Sequence, residues 1–522
     1  MSIPKVVGIE QEYALTVRGT DRLTPFQASS FLINSYARAK GLRDPGIGVL
    51  WDYGHETPFQ DIRGGLFSKS TNREIISAED NLRINTVLPN GARLYTDHGH
   101  PEYSTPECLS ARDVTACDKA GERVLREALD LMRKELPTSE VSIFKNNVDY
   151  QGHSYGCHEN YLMDAAAHEK YLVRNPEKAV RGLIPFLVTR QVFTGAGKIG
   201  GEVDESRATR YQLSQRADFL EQVFGVETMY ARPIINTRAE HHADDARFKR
   251  LHLILGDSNM CEWSAFLKIG TTQIVLQMME DDVLTDRLEI AEPLSALKRI
   301  SADFSTPVDL ADGRRLTAME IQRSYLHMAH DYLEKGSGPG VPEAEYILEQ
   351  WAYALDGLDR LRLSDDFRLM EDPLELARRL DWVLKLWFIT RFRENKDRPW
   401  DTQGLRVLDL QYHNIQPLQG IFGRLQEQGL TERLVSESDI VRFFGEPPAD
   451  TRAHFRGKCV EKFAKEVCLV NWEVVGFDHG DIHRMVPLLN PLKGTKELCQ
   501  DILEKAETSR DLIRILRSGA RE

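Results

Sequence analysis

Three features of the sequence predict an α+β fold: an N-terminal segment in which β-branched and polar residues alternate, further short strands between about residues 141 and 255, and an almost wholly helical periodicity over 318–394. Residues 6–15 (VVGIEQEYAL) carry the pattern of a half-buried strand. A helix is predicted over 28–40. Residues 41–89 follow with Gly, Pro, Asp and Asn scattered through them and no periodicity, and read as an insertion, either a loop crossing the surface near a site or a plain excursion. A strand over 92–97 comes next. Ser110, with Asp113 three positions on, makes a capping box before a helix that runs to about Leu136 and stops at Pro137. Val114, Cys117, Ala120, Val124, Ala128, Leu131 and Met132 recur there at helical spacing, so one face packs on a core.

Strands are predicted over 141–149, 158–163, 232–236 and 250–255. Within the helical stretch Trp351, Leu355, Trp382, Leu384 and Trp387 supply large apolar surface, read as core rather than as a cofactor box. After the loop at 445–450 (GEPPAD), a last helix and an apolar segment around Trp472 suggest a small C-terminal unit. The expected division is a catalytic domain over 1–435, carrying the insertion, and a smaller domain over 436–522.

Composition excludes several classes. Hydrophobic residues at 41% and charged residues at 28% give the balance of a soluble globular protein. Lys and Arg total 67 against 80 Asp and Glu, a net charge of -13, which argues against a partner held by phosphate neutralisation such as nucleic acid. The seven cysteines form no CxxC pair, so neither a disulfide framework nor a zinc ribbon is expected. Acidic residues interrupt the start of the chain where a signal peptide needs an apolar core, and no run is long enough to span a membrane. A cytoplasmic monomer is the expectation.

The feature that carries chemistry is a repeated i, i+2 spacing of polar residues inside apolar strands, because such side chains share one face of a sheet. Glu10 and Glu12, Tyr95 and Asp97 (with Arg93 on the same face), His158 and Asn160, and Arg250 and His252 form four such pairs. One face carrying carboxylates, imidazoles and guanidinium groups is costly to leave dry and unpaired, and metal with phosphate satisfies all of them. Glu10, Glu12, Glu102, His158 and His252 suit magnesium, with manganese as the alternative where imidazole ligates. Asp97 adds a reactive carboxylate. Each pair alone also reads as a solvated strand edge, and His158 alone as an ordinary hydrogen-bonded histidine; the repetition of the spacing favours a site.

Arg216, Arg232, Arg238 and Arg250 offer guanidinium donors for a transferring phosphoryl group, with salt bridging as the other reading, above all for Arg232. Trp472 suits either adenine stacking or the core. Residues 195–201 (GAGKIGG) lack the GK[ST] ending of a phosphate loop and read as a flexible loop. No GxSxG elbow is present. Cys157 and His158 face opposite ways as strand neighbours, so they make no catalytic pair, and Cys157 reads as buried filler.

Seven segments together resemble the Pup ligase and Pup deamidase/depupylase family, which acts on the small protein modifier Pup: GIEQEY from Gly8, NGARLYTDHGHPEYSTPEC from Asn90, KNNVD from Lys145, SYGCHENY from Ser154, QLSQR from Gln212, PIINTR from Pro233 and RLHLILGDSN from Arg250. The resemblance runs nearly end to end. It implies a glutamine-synthetase-like antiparallel sheet with helices packed on one face, plus the small C-terminal domain. It also implies metal binding by Glu10, Tyr95, Glu102, His158 and His252 with Glu12 in the same cluster, and nucleotide contacts from Gly8, Ile9, Glu10, Gln11, Glu12, Ser104, Thr105, Asn160 and Arg250. Asp97 matches the family's essential aspartate, described as base or nucleophile. Arg216 and Arg238 match its phosphate-side arginines, and Trp472 sits where the C-terminal part approaches the nucleotide.

The long insertion and the short interval from Asp97 to Glu102 (DHGHPE) resemble the depupylase branch, whereas GCHENY and GDSNM look more like the ligase branch and Gln11 is an unusual filler between two glutamates. The implied activity is an amide hydrolase, dependent on magnesium and on ATP or its ADP and phosphate products, that deamidates the C-terminal glutamine of Pup and releases Pup from pupylated proteins. A Pup ligase working through a γ-glutamyl phosphate, a non-catalytic nucleotide binder and a small-molecule glutamate–amine ligase are the alternatives.

Overall fold

The computed structural model describes residues 2–19, 22–42, 48–54, 56–58, 60–64, 77–200, 210–285, 287–336, 338, 340–361, 363, 369, 371–394, 400, 403–480 and 483–519. The N-terminal strand pattern is real but breaks at Tyr13. Val7–Glu12 enters the main sheet, while Ala14–Gly19 leaves it to pair with Ser139–Phe144. Tyr13 is fully buried at the break, and its N–H donates to the carbonyl of Pro101 at 3.0 Å.

Val7–Glu12 is an inner strand of an eight-stranded sheet. On one side lie His100–Ser104, then Arg93–Asp97, then Asn85–Val87; on the other lie Cys157–Asp164, Phe248–Leu253, Arg232–Asn236 and Leu220–Gly225. Every neighbouring pair is antiparallel except the last, where Leu220–Gly225 runs parallel to Arg232–Asn236. The α+β class and the antiparallel character of the sheet are as expected. The strand predicted over 250–255 lies earlier, at Phe248–Leu253, and that predicted over 141–149 ends at Phe144.

Helix Ala111–Glu135 packs against Val7–Glu12, and helix Glu262–Glu280 packs against Cys157–Asp164. Ser110 caps the first by accepting the N–H of Asp113 at 2.9 Å. Gly121 is required there: a Cβ would lie 2.4 Å from the ring of Tyr103, so only glycine lets the helix seat on the strand. All nineteen residues of Glu262–Glu280 are buried, and its polar members find partners within the chain: Lys268 Nζ donates to the carbonyl of Asp257 at 2.8 Å and Glu262 accepts the N–H of Val435 at 2.9 Å. Behind it lie Ala318–Glu334, Ala344–Arg360 and Asp381–Glu394, and Trp351, Trp382 and Trp387 are buried in the main core, the role read from the sequence.

A second core contains Trp51, Phe455, Phe463, Val470, Phe477 and Leu503. Its sheet consists of Val467–Val470, Val474–Asp478 and His483–Pro487, with Leu50–Trp51 added parallel to the first. Three helices pass through this part, Ala453–Lys462, Lys496–Lys505 and Ser509–Gly519, where one was foreseen. Ile440 and Phe443 of helix Glu437–Gly445 belong to the main core instead.

Two readings need correction. The insertion over 41–89 is not irregular throughout: Ser77 caps a seven-residue helix, Ala78–Ile84, which runs into the edge strand Asn85–Val87. Two turns are too short for an apolar period to show. The insertion's residues 43–47, 55, 59 and 65–76 lie outside the described residues. Residues 195–200 of the GAGKIGG segment are packed rather than loose, and Gly201 lies outside the described residues. Lys198–Ile199 pairs with Tyr211–Gln212, and the Nζ of Lys385 donates to the carbonyl of Gly197 at 2.7 Å. Gly195 fits because a Cβ there would come 2.3 Å from the carbonyl oxygen of Leu213.

Candidate functional site

Register, rather than proximity in sequence, assembles the site. Glu10 lies opposite His158 on one side and Ser104 on the other; Glu12 lies opposite Glu102, Glu102 opposite Tyr95, and His252 opposite Asn160. All therefore share the face of the sheet away from the helices. All but Asn160 line a cleft of about 1150 Å³ whose walls also include Asp97, Arg216, Arg232, Arg238, Arg250 and Trp472. The four i, i+2 pairs do meet on one face of the sheet, where Asn160 hydrogen-bonds Glu10 and Arg250.

Two groups of ligating atoms stand out, each with its atoms within 4.8 Å of one another: Glu10, His158 and His252, and Glu12, Asp97 and Glu102. In the first, Glu10 Oε2 is 3.2 Å from His158 Nδ1 and 3.6 Å from His252 Nε2, while its Oε1 accepts from Asn160 Nδ2 at 3.0 Å. Arg250 completes the row, 3.8 Å from Glu10 and hydrogen-bonded to Asn160 at 3.1 Å and to Glu240 at 3.3 Å. Burial alone would raise the Glu10 carboxyl, but the His158 hydrogen bond and the Arg250 charge hold it well below the usual carboxylate range. Burial, with the Arg250 charge, pushes His252 well down, so it presents a neutral imidazole.

In the second group burial pushes the Glu102 carboxyl well up, and the neighbouring Asp97, Glu12 and Glu10 push the same way. Both ring nitrogens of His252 and one oxygen of Glu102 are buried without a hydrogen-bond partner. Unpartnered buried acceptors beside crowded carboxylates are the arrangement a divalent cation resolves. Tyr95 stands beside this group, its hydroxyl 3.4 Å from Ser104 Oγ.

Asp97 is presented by a two-residue hairpin. It pairs with His100, and the two residues between, His98 and Gly99, have φ of 45° and 94°, the left-handed conformations that such a turn requires. His98 Nδ1 lies 2.8 Å from Asp97 Oδ2. Burial would raise Asp97, but this hydrogen bond and the His98 charge keep its carboxyl below the usual range.

A smaller pocket opens from the cleft along the backbone of Gly8, Ile9 and Glu10, lined by Ser104, Thr105, Asn160, His242, Arg250 and Trp472. Thr105 Oγ1 accepts the N–H of Ile9 at 3.0 Å. Trp472 meets Trp51 edge-on at 5.1 Å between ring centroids, and Arg456 lies 4.9 Å from its ring. Ile9 and Gln11 are exceptions among the anticipated contacts, because strand alternation turns their side chains towards the helices: Ile9 lies in the main core, and Gln11 donates to Ser258 Oγ at 2.7 Å. Only their backbones can serve the cleft.

Sequence reasoning missed Glu240, His242, His98, Tyr53 and Glu56. The DHGH turn was the available signal for His98. Tyr53 and Glu56 reach the cleft because the insertion crosses it. After pairing at Leu50–Trp51 it hydrogen-bonds Thr57 N to Glu240 Oε1 at 2.9 Å and Ile62 N to the carbonyl of Thr237 at 2.9 Å. Arg93 anchors the crossing, its guanidinium 3.9 Å from the ring of Trp51 and 3.8 Å from that of Tyr95. Cys157 is buried on the helix side, 3.4 Å from Lys268 Nζ, as the filler reading expects. Among the described residues no helix is long and apolar enough to cross a membrane.

The chain is 41% identical over 524 residues to a depupylase of Acidothermus cellulolyticus, covering 99% of each chain. It is 39% identical over 515 residues to a Pup deamidase/depupylase of Mycolicibacterium smegmatis, covering 98% of this chain and 99% of that one. A Pup–protein ligase of Acidimicrobium ferrooxidans is 42% identical over 472 residues, 88% of this chain and 90% of the ligase. Among solved structures, the complex of the prokaryotic ubiquitin-like protein Pup with its ligase PafA superposes with a TM-score of 0.76 at 30% identity, covering 99% of this chain and 94% of that one. The ligase PafA in complex with ADP gives 0.68 at 34% identity, covering 80% and 89%. The Pup-ligase protein family matches residues 5–476, and this chain belongs to that family.

Proposed function

We propose that the protein is an ATP- and magnesium-dependent amide hydrolase that deamidates the C-terminal glutamine of Pup and cleaves the bond between Pup and lysine in pupylated proteins. The observation that carries this reading is Asp97 at a hairpin tip, with an oxygen in the group it forms with Glu12 and Glu102. The full-length relatives named as depupylases support the hydrolase over the ligase, whose sequence relative from Acidimicrobium ferrooxidans aligns over 88% of the chain.

In this reading Glu10, Glu12, Tyr95, Glu102, His158 and His252 hold magnesium, or manganese. The ADP carried by the ligase neighbour favours a nucleotide site in the smaller pocket, with the backbone from Gly8 to Glu12, Ser104, Thr105, Asn160, Arg250 and Trp472 as its contacts. A divalent cation held by the metal-site residues would offset the crowded carboxylates, bind the nucleotide's phosphate and polarise an oxygen atom beside Asp97.

The chain's own part begins with Asp97, whose carboxylate attacks the side-chain amide carbonyl of the substrate or takes a proton from the water that does. The C–N bond breaks, and the nitrogen leaves protonated, as ammonia from glutamine or as the lysine amine from a conjugate. Net, one water is consumed, either as the attacking group itself or to hydrolyse the anhydride that Asp97 forms with the acyl carbon, which returns the Asp97 carboxylate and releases the product acid. Arg216 and Arg238 donate N–H groups to the developing oxyanion; burial and the neighbouring Arg232 lower Arg216 only to about 10, so it stays charged at neutral pH. The assignment of 1–435 as the catalytic domain and 436–522 as the smaller one belongs to the same proposal.

The test is mass spectrometry of Pup ending in glutamine after incubation with the protein, ATP and magnesium. Conversion of amide to acid without matching ADP release is the expected result. Conjugation to lysine with stoichiometric ADP would establish the ligase instead.

A further inference from the structure

Arg216, Arg232 and Arg238 line the cleft, and among the described residues none of them makes an ion pair with a carboxylate. Their hydrogen bonds go to neutral oxygens. Arg216 donates to the carbonyl of Tyr155; Arg238 donates to the carbonyl of Val226 at 2.9 Å and the hydroxyl of Thr228 at 3.1 Å; Arg232 donates to the carbonyls of Thr228 at 2.8 Å and Ser154 at 2.7 Å. Other buried arginines are matched by acids, Arg190 by Glu159 and both Arg452 and Arg456 by Glu107. Burial lowers Arg216 and Arg232, and the repulsion between them adds to the effect at Arg216. Glu12 and Glu221 act on Arg232 only from beyond ion-pair distance, and a wall of cations with no carboxylate in direct contact suits an incoming anion.

Arg232 and Arg238 are both half-buried with donors to spare, and since Arg238 is given to the oxyanion in the reading above, Arg232 is the one left for a further anion. Its Nε–H and one Nη2 proton are committed, which leaves both Nη1 protons and the second Nη2 proton. Arg216 behind it is only 1% exposed. One short segment ties this wall to the carboxylates: Ser154 accepts from Arg232, Tyr155 accepts from Arg216, and the N–H of Gly156 donates to Glu12.

The inference rests on the hydrolase reading above. An amide on the side chain of a C-terminal residue always has a free α-carboxylate three carbons from the scissile carbonyl, in free Pup and in a conjugate alike. An internal glutamine lacks it. We propose that Arg232, backed by Arg216, receives that α-carboxylate and so confines the enzyme to side-chain amides of C-terminal residues. Phosphate is the other oxyanion the wall suits, and the experiment separates the two.

Pup ending in glutamine is prepared with a free α-carboxylate and with an α-carboxamide, and both are presented to wild-type protein, Arg232→Gln and Arg232→Lys. Deamidation kinetics, Pup affinity by fluorescence anisotropy and nucleotide affinity are measured. Masking the carboxylate should cost the wild type roughly ten- to a hundredfold in kcat/KM, chiefly through KM, with a parallel loss of Pup affinity. Arg232→Gln should show that loss on the unmodified substrate and no further loss on the carboxamide, while Arg232→Lys keeps part of the discrimination and nucleotide affinity stays unchanged in both. The proposal is overturned if wild type ignores the masking, or if Arg232→Gln discriminates as strongly as wild type. Weakened nucleotide or phosphate binding with discrimination intact would give the wall to phosphate. A wild type that binds Pup with α-carboxylate dependence yet never deamidates it would sink the hydrolase reading while sustaining Arg232.

Discussion

Buried charge sits on both sides of the main sheet, and the two sides treat it differently. On the helix side Lys145 meets Asp118 at 2.5 Å and Glu122 at 2.9 Å, Lys119 meets Glu122 at 2.8 Å, and Arg190 holds Glu159 at 2.5 Å. Each of these carboxylates has a cation supplied by the chain. On the open side Glu12, Asp97 and Glu102 crowd together with no lysine or arginine paired to them among the described residues, and a short way off three arginines lack acids. Equal burial thus has opposite meanings. Where the chain closes its own charges they hold structure, and where it leaves both signs open they mark where cation, phosphate and substrate carboxylate belong.

Breaking the open side should abolish chemistry and spare the fold. Asp97→Asn is expected to lower depupylation roughly a thousandfold or more, the scale of a lost base or nucleophile, with the unfolding midpoint almost unmoved; paired kinetic and thermal measurements check it. Breaking the closed side should do the reverse. Arg190→Leu strands Glu159 and should cost about 3–5 kcal/mol in urea unfolding, while the cation affinity of whatever remains folded is unchanged.

Cation binding sharpens the contrast. At a hundredfold excess over its dissociation constant, magnesium should stabilise the wild type by about 2.7 kcal/mol, read as a raised melting temperature that chelator removes, and Glu102→Gln should shrink that gain. The smallest effect is a pH slope. Arg456 and Arg452 overcome the effect of burial and hold Glu107 at about 2, below the ordinary value of about 4.3. Its contribution is complete above the ordinary value and drains away as pH falls towards 2, so Glu107→Gln should flatten the stability profile across that window by roughly 3 kcal/mol. A slope unchanged from wild type would remove Glu107 from the account.

The polar face was legible in the sequence because strand alternation is local: Glu10 with Glu12, and His158 with Asn160, declare a shared face within three residues. Helix Ala111–Glu135 was equally plain, since its cap and apolar period agree. The break at Tyr13 was not, because VVGIEQEYAL keeps its alternation through a point where the chain changes sheets for tertiary reasons. Nothing in residues 50–54, 56–58 or 60–62 announces that they cross the cleft. Their place is set by pairing with Leu469–Val470 and by hydrogen bonds to 237–240, partners remote in the chain. Gln11 misled for the opposite reason: inclusion in a motif outweighed the alternation that turns it away. The packing of GAGKIGG was hidden because close backbone approach and loop freedom both select glycine.

Manganese titration followed by electron paramagnetic resonance tests the central claim most directly, on wild type and on the Glu102→Gln, His252→Gln and Glu122→Gln variants. The account predicts tight binding to wild type, roughly tenfold or greater weakening in the first two variants, and wild-type affinity in Glu122→Gln, whose charge is already met from within the chain. Equal binding by all four proteins, or none by wild type, would contradict it.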